Sequence, residues 1–369
     1  MSMHILINRE ALLAPLQAIA GMVERKQTMP VLSNVLMVAS ENGLTITGTN
    51  MEVELVCDIN QVEILQTGSI TVPARKLSDI CRSLPDQTML DVSIESDRFH
   101  LRSGKSHFTL ATLPAEQFPN IEESSQDQSI TVLQGDFKKL LDASSFAMAQ
   151  QDVRYYLNGM LIEIGDNFIR SVATDGHRLA MSTLATNSAG QEKRQVIVPR
   201  KGVLELSRLL ADPEQEIQIA LSESHIRSKI GCYTFTSKLI EGKFPDYNRV
   251  IPRGGDKVVI ANRKELKAVF ARAAILSHEN IRGVRLQISD NLLQVFANNT
   301  EQEQAEDSVG VTYYGESLQI GFNVGYLIDV LNNISSDEVK MTLSNANASA
   351  LVESTESHDA LYVVMPMRI

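Results

Sequence analysis

Asp175 and His177 flank a glycine in the string ATDGHRLA (173–180), placing a carboxylate and an imidazole where acid–base hydrolysis could be imagined. Side chains so close in a tight hairpin rarely aim at one reacting atom, and the chain has no GxSxG nucleophile elbow. It also lacks the GxxxxGK[ST] and GxGxxG loops that hold nucleotide phosphates. Cys57, Cys81 and Cys232 are odd in number, far apart in sequence and without a CxxC pair. They argue against a disulfide framework and a structural zinc site, and they suit a reducing cytoplasm. No cofactor is implied. The remaining chemistry is cationic: the pairs Arg75–Lys76 and Arg200–Lys201. Lysines and arginines of this kind touch phosphates, which positions a protein on nucleic acid without reading its sequence. Tyr155 and Tyr156, taken alone, suit strand-edge aromatics packed on a helix.

Both basic pairs stand at the same point of a repeated segment. SITVPARKLSDICRSL (69–84), QVIVPRKGVLELSRLL (195–210) and LQIGFNVGYLIDVLNNI (318–334) each read as a short alternating strand, a turn and an amphipathic helix. The third copy has Asn323 and Gly325 where the others carry the basic pair. Val72, Val198 and Asn323 lie about 125 residues apart, a domain-sized period. Two further anchors keep this register. Phe118–Pro119 recurs as Phe244–Pro245, and Thr49–Asn50 recurs as Thr174–Asp175 and Asn298–Asn299. A second helix opens each repeat; in the first, Asn8 is its expected N-cap and Pro15 an expected kink.

The 369 residues therefore divide into three domains, 1–128, 129–254 and 255–369, linked near EESSQDQS (122–129) and Arg253–Gly254–Gly255–Asp256. Each is an α+β unit of antiparallel strands with two helices on one face. With 43 % apolar and 21 % charged residues the composition is that of an ordinary globular protein. No apolar run is long enough for a membrane span, and the first residues lack the features of a signal peptide.

A net charge of −11 argues against a polyanionic partner until its distribution is considered. The six expected helices with their ends (8–26, 74–84, 136–151, 200–210, 262–276 and 325–334) hold 15 basic residues against 8 acidic, leaving −18 for the rest. Such segregation is either a set of solvated helix faces or a positive surface for nucleic acid. No zinc-finger, helix-turn-helix or RNP-type signal points to base reading.

Five further stretches, QQDVRYYLNGML (150–161), ATDGHRLA (173–180), VIVPRKG (196–202), KFPDYNRVIP (243–252) and YVVMPMRI (362–369), resemble the beta subunits of bacterial DNA polymerase III, the sliding-clamp family, and the resemblance runs end to end. It implies two chains joined head to tail into a homodimeric ring, helices inside and sheets outside, encircling duplex DNA without sequence specificity. It also implies a cytoplasmic, non-catalytic processivity factor of the replicative holoenzyme. Expected partners are the polymerase III catalytic subunit with its 3'-5' exonuclease partner, an ATP-driven clamp loader, and other polymerases and repair proteins; no membrane is involved.

Carried over residue by residue, the resemblance implies DNA contacts from Arg25, Lys26, Gln151, Arg154, Tyr155, Tyr156 and Lys201. It implies an apolar cleft for short partner peptides, built from Leu157, Thr174, Gly176, His177, Arg178, Leu179, Pro245, Val250, Ser349, Val363, Met365, Pro366, Met367 and Arg368, with Arg249 at its edge. The dimer seam would use Phe108 on one side and Ile275 and Leu276 on the other. The residues agree: the equivalent hairpins lack the DGHRL string, and Met365 and Met367 suit a surface that repacks around varied ligands. The competing readings are a hydrolase built on Asp175 and His177, and a three-domain scaffold that never meets DNA.

Overall fold

A computed structural model describes residues 3–23, 29–121, 128–187 and 192–368. The first repeat contains β1 (His4–Asn8), α1 (Arg9–Met22), β2 (Asn34–Ser40), β3 (Gly43–Thr49), β4 (Val53–Ile59), β5 (Val62–Gln66), β6 (Gly68–Pro73), α2 (Ala74–Ser83), β7 (Met89–Glu95), β8 (Arg98–Ser103) and β9 (Ser106–Ala111). The second contains β10 (Gln128–Leu133), α3 (Gln134–Ser145), β11 (Gly159–Gly165), β12 (Phe168–Thr174), β13 (Arg178–Ala185), β14 (Arg194–Pro199), α4 (Arg200–Leu209), β15 (Glu216–Leu221), β16 (His225–Ile230) and β17 (Tyr233–Lys238). The third contains β18 (Lys257–Asn262), α5 (Arg263–Ile275), β19 (Gly283–Ser289), β20 (Leu292–Asn298), β21 (Gln304–Gly310), β22 (Leu318–Asn323), α6 (Val324–Asn333), β23 (Glu338–Leu343), β24 (Ala350–Ser354) and β25 (Ala360–Val364). No described helix is long and apolar enough to cross a membrane.

The chain forms two compact units, 1–135 with 204–239, and 136–203 with 240–369, so the central repeat contributes to both. The first unit holds a five-stranded sheet, β5-β1-β7-β8-β9, and an eight-stranded one, β10-β15-β16-β17-β4-β3-β2-β6. The second holds an eight-stranded sheet, β14-β11-β12-β13-β25-β24-β23-β18, and a four-stranded one, β21-β20-β19-β22. Each eight-stranded sheet is a fusion of strands from two successive repeats. The first joint pairs β4 with β17, Cys57 opposite Tyr233; the second pairs β13 with β25, Leu179 opposite Val363. The two joints use equivalent strands.

Strand patterning explains the layers. In β1 and β7 burial alternates with the pleat, so Ile5, Ile7, Leu90 and Val92 are fully buried while their neighbours are not. β11 is buried along its whole length, and its one charge, Glu163, accepts hydrogen bonds from Arg170 and the Tyr247 hydroxyl and pairs with Lys193. All six helices appear where periodicity put them. Asn8 caps α1 by accepting from the Glu10 N–H at 3.0 Å, and α1 runs through Pro15 as one helix.

The helix charges are only partly a surface. Arg9, Arg75, Arg200 and Arg263 each stand in the first turn of a helix or just before it and reach carbonyls at the C-terminal end of the neighbouring helix. Arg9 donates to Cys81 and Arg82, Arg75 to Val23, Arg200 to Ser145 and Met148, and Arg263 to Leu331 and Ser336. The carbonyls left unpaired at a helix end thereby gain donors and a cation at the negative end of the dipole. The first member of each basic pair is thus a structural cap. In the third repeat Asn323 takes over the start of α6, accepting from the N–H groups of Gly325 and Tyr326.

Two close approaches mark the first unit. Gly48 in β3 faces α1, and a Cβ there would lie 2.2 Å from Ile19 Cγ2. Gly48→Ala is expected to cost about 1–3 kcal/mol by pushing helix from sheet, read as a lower denaturation midpoint with an unchanged slope. The second is between thiols: all three cysteines are free, and Cys57 and Cys232, 175 residues apart in sequence, bring their Sγ atoms within 3.1 Å.

Candidate functional site

The β12–β13 hairpin is built before it is functional. Thr174 Oγ1 donates to the Arg178 carbonyl and accepts from the Gly176 N–H, while Asp175 Oδ1 accepts from the N–H groups of His177 and Arg178. Thr49 and Asn50 make the same bonds in the first repeat. The scaffold therefore belongs to the repeat, and the central copy adds Gly176, His177 and Arg178. Gly176 has φ +88°, and a Cβ there would also meet the Arg154 guanidinium at 3.0 Å. This geometry removes the hydrolase reading. The Asp175 carboxylate is occupied by two backbone N–H groups and by Arg178 Nε at 3.1 Å, while the exposed His177 ring stacks against Tyr326 at 6.4 Å.

Arg178 ties the hairpin to its surroundings. Its side chain is 12 % exposed and also pairs with Asp329 at 2.5 Å and donates to the Phe146 carbonyl at 2.9 Å. Its guanidinium lies 5.2 Å from the Phe146 ring centre and 4.5 Å from that of Tyr326. Burial, with Asp175 nearby, pushes the Tyr326 hydroxyl up from its ordinary value. Phe146, Tyr326 and Asp329 were not found by sequence reasoning. The available signal was Tyr326, an aromatic in the first turn of α6, with Asp329 one turn further on.

Beside the hairpin lies an apolar floor. Leu179 and Val363 face each other across β13 and β25 and are buried with Leu161, Val172, Ile197, Phe244 and Tyr247; Tyr156, Ile251 and Leu351 pack half-buried against them. The chain then leaves β25: Met365 N–H donates to the His177 carbonyl, and Met367 N–H to that of Gly321. Met365 is exposed, and Pro366 and Met367 are half-buried. Ser349 precedes Ala350, which pairs with Val364. On the 244–250 segment Phe244 and Tyr247 point into the floor while Pro245, Arg249 and Val250 are exposed; Arg249 pairs with Asp246. The structure thus gathers the hairpin residues, the floor and the C-terminal methionines around one joint. Leu157 is buried on the 3₁₀ turn Tyr155–Leu157, and Arg368 is exposed at the end of the described chain.

The expected DNA residues are spread more widely. Arg25 and Lys26 lie outside the described residues. Gln151, Arg154 and Tyr155 are exposed on the turn before β11, and Lys201 lies in the first turn of α4. Arg154 is held by a two-point bond to Asp152, at 3.0 and 2.8 Å, which brings the Asp152 carboxyl down to about 2. The same side chain leans over the 175–176 turn, 3.4 Å from the Asp175 carbonyl. Tyr155 and Tyr156 meet edge to face at 5.8 Å on the 3₁₀ turn, not on a strand edge. Of the expected seam residues, Phe108 is half-buried on the outer strand β9, Ile275 is 77 % exposed at the end of α5, and Leu276 caps that helix.

Three tandem repeats fused through their sheets, with helix pairs capped by arginines and an apolar joint beside the 174–178 hairpin, define a clamp-type repeat fold. Models of the N-terminal, central and C-terminal domains of the DNA polymerase III beta subunit match residues 3–122, 131–246 and 248–368. The beta sliding clamps of Pseudomonas aeruginosa and Escherichia coli K12 are 54 % and 46 % identical over 367 residues, each covering 100 % of both chains. The crystal structure of the Pseudomonas aeruginosa DNA polymerase III subunit beta superposes with a TM-score of 0.97 over 100 % of both chains, at 54 % identity. The chain belongs to the DNA polymerase III beta subunit family of sliding clamps.

Proposed function

We propose that this chain is a processivity clamp in which two copies close head to tail around duplex DNA and tether replication and repair proteins. The observation that carries the ring is the repeat of the sheet joints. β4 pairs with β17, and β13 pairs with β25. The remaining strand equivalent to β4 and β13 is β21, and the one equivalent to β17 and β25 is β9; both are open edges of their sheets. The same rule applied once more pairs β21 of one copy with β9 of the next, and the joint registers place Asp307 opposite Ser106. Open edges invite such pairing, and a head-to-tail contact that closes gives a ring.

Charge favours this pairing. Arg98, Arg102, Lys105 and His107 are exposed on or beside β9, and Glu301, Glu303 and Glu306 on or beside β21. Phe108, Ile275 and Leu276 supply the apolar part of the seam. Arg25, Lys26, Gln151, Arg154, Tyr155, Tyr156 and Lys201 are assigned to the DNA-facing surface, which needs no sequence preference because the ring holds the duplex topologically. Repeat limits are assigned at 128/129 and 254/255.

The apolar joint around Leu179, Val363, Met365 and Met367 takes short peptides from the polymerase III catalytic subunit, the ATP-driven loader, other polymerases and repair proteins. Its work lies with chromosomal DNA in the cytoplasm, and catalysis resides in its partners. The test is retention. Protein placed on nicked circular DNA by a bacterial loader with ATP should survive a high-salt wash and slide off when the circle is cut. Ordinary phosphate contacts would lose roughly 10³–10⁵ in affinity between 50 and 200 mM salt on either form. Equal stripping from circle and line would overturn the ring.

A further inference from the structure

The joint between the first two repeats carries a pair of thiols that clamp function does not use. Cys57 lies in β4 and is buried; Cys232 is exposed in the two-residue turn between β16 and β17, after Gly231 at φ +57°. Tyr233 pairs with Cys57 across the joint, and the Asp58 N–H donates to the Cys232 carbonyl at 3.1 Å. The backbone thereby sets the two sulfurs 3.1 Å apart, about 1 Å more than a disulfide bond. Cys232 also borders a cleft of about 350 Å³ whose polar lining includes Asn42, Asp58, Asn60 and Lys229. One sulfur is thus open to a small solute, and the other waits behind it.

We propose that Cys57 and Cys232 are a peroxide-responsive dithiol that closes into a disulfide across the β4–β17 joint. A hydroperoxide entering the cleft oxidises Cys232, its thiol gaining the oxygen to become a sulfenic acid while the peroxide leaves as alcohol or water. Cys57 Sγ then attacks the Cys232 sulfur. The S–S bond forms, the sulfur–oxygen bond breaks, and the departing hydroxyl takes the Cys57 proton as water. Two thiols lose two electrons in total, and the peroxide gains them. An exposed sulfur that reacts first beside a resolving thiol is the arrangement of redox-sensing cysteines, and transient disulfides of this kind occur in reducing compartments. Cys232 is the exposed sulfur and Cys57 the buried one within 3.1 Å of it, so access makes Cys232 the first to react and Cys57 the resolving thiol. Cys81, buried in α2 with its thiol pushed up to about 12, serves as an internal control.

The full-length protein is treated with a small excess of hydrogen peroxide, its remaining thiols are alkylated, and its peptides are mapped. The expected product is a Cys57–Cys232 link within one chain, with Cys81 alkylated and a melting temperature about 5–10 °C higher until dithiothreitol is added. Cys57→Ser should leave a Cys232 sulfenic acid that dimedone traps. Cys232→Ser, altered only at the exposed turn, should leave Cys57 unoxidised under the same treatment. Cys232 ending as sulfinic or sulfonic acid while Cys57 stays alkylatable, or linked to a second chain, overturns the proposal.

Discussion

Ile275→Arg is expected to leave a folded monomer that no longer stays on circular DNA. Ile275 is 77 % exposed at the end of α5, so its side chain contributes little to its own fold. In a closed ring the same side chain would be buried against Phe108 on the next copy, and burying an isoleucine contributes about 1.5–3 kcal/mol. The arginine loses that burial and brings a cation to an edge already carrying Arg98, Arg102 and Lys105. Together these should weaken dimerisation at least about 100-fold. Sedimentation would show one chain at concentrations where the parent is a dimer, with a single cooperative unfolding transition retained and no retention on DNA after the salt wash. A dimer of parental affinity would remove Ile275 from the seam, and a monomer that still remained on circles would remove the ring itself.

The repeat was legible because its anchors have backbone reasons. Asn50 and Asp175 recur because the same hairpin needs a side-chain acceptor for two N–H groups. Helix positions were legible from periodicity, and the arginines at their starts were visible as charges. Their role was not. A cation that caps the carbonyls of another helix looks, in sequence, the same as one that faces a phosphate. Arg75 and Arg200 therefore read in sequence as half of a binding surface, and the fold shows them as fasteners. The sheet joints were hidden for a related reason. β4 and β17 meet across residues 57 and 233, and no local pattern records which edge strand accepts which partner. Once two joints are seen, the third follows from the period. The thiol pair was hidden by the same separation.

Arg178→Ala should be the most damaging single change at the apolar joint, and its two effects can be separated. The guanidinium bonds Asp175, Asp329 and the Phe146 carbonyl and lies over two rings. Removing it leaves the 17 %-exposed Asp175 carboxylate without its cation and the Phe146 carbonyl without this donor. With Asp329 44 % exposed and partly screened, the loss of stability should be about 2–3 kcal/mol. The hairpin would keep its backbone bonds but lose its anchor, so a partner peptide carrying Gln and a Leu/Phe pair should bind at least about tenfold more weakly. Arg178→Lys keeps the charge but cannot serve a carboxylate and a carbonyl at once, so it should recover part of the stability and little of the binding. His177→Ala provides the contrast: its exposed ring only stacks on Tyr326, so binding should fall while melting is unchanged. Calorimetric titration with the peptide and thermal unfolding of the three variants decide the matter. Parental peptide affinity in Arg178→Ala and His177→Ala alike would place the docking surface elsewhere on the chain, whereas a loss in both with only one destabilised would show that the hairpin contacts the peptide directly.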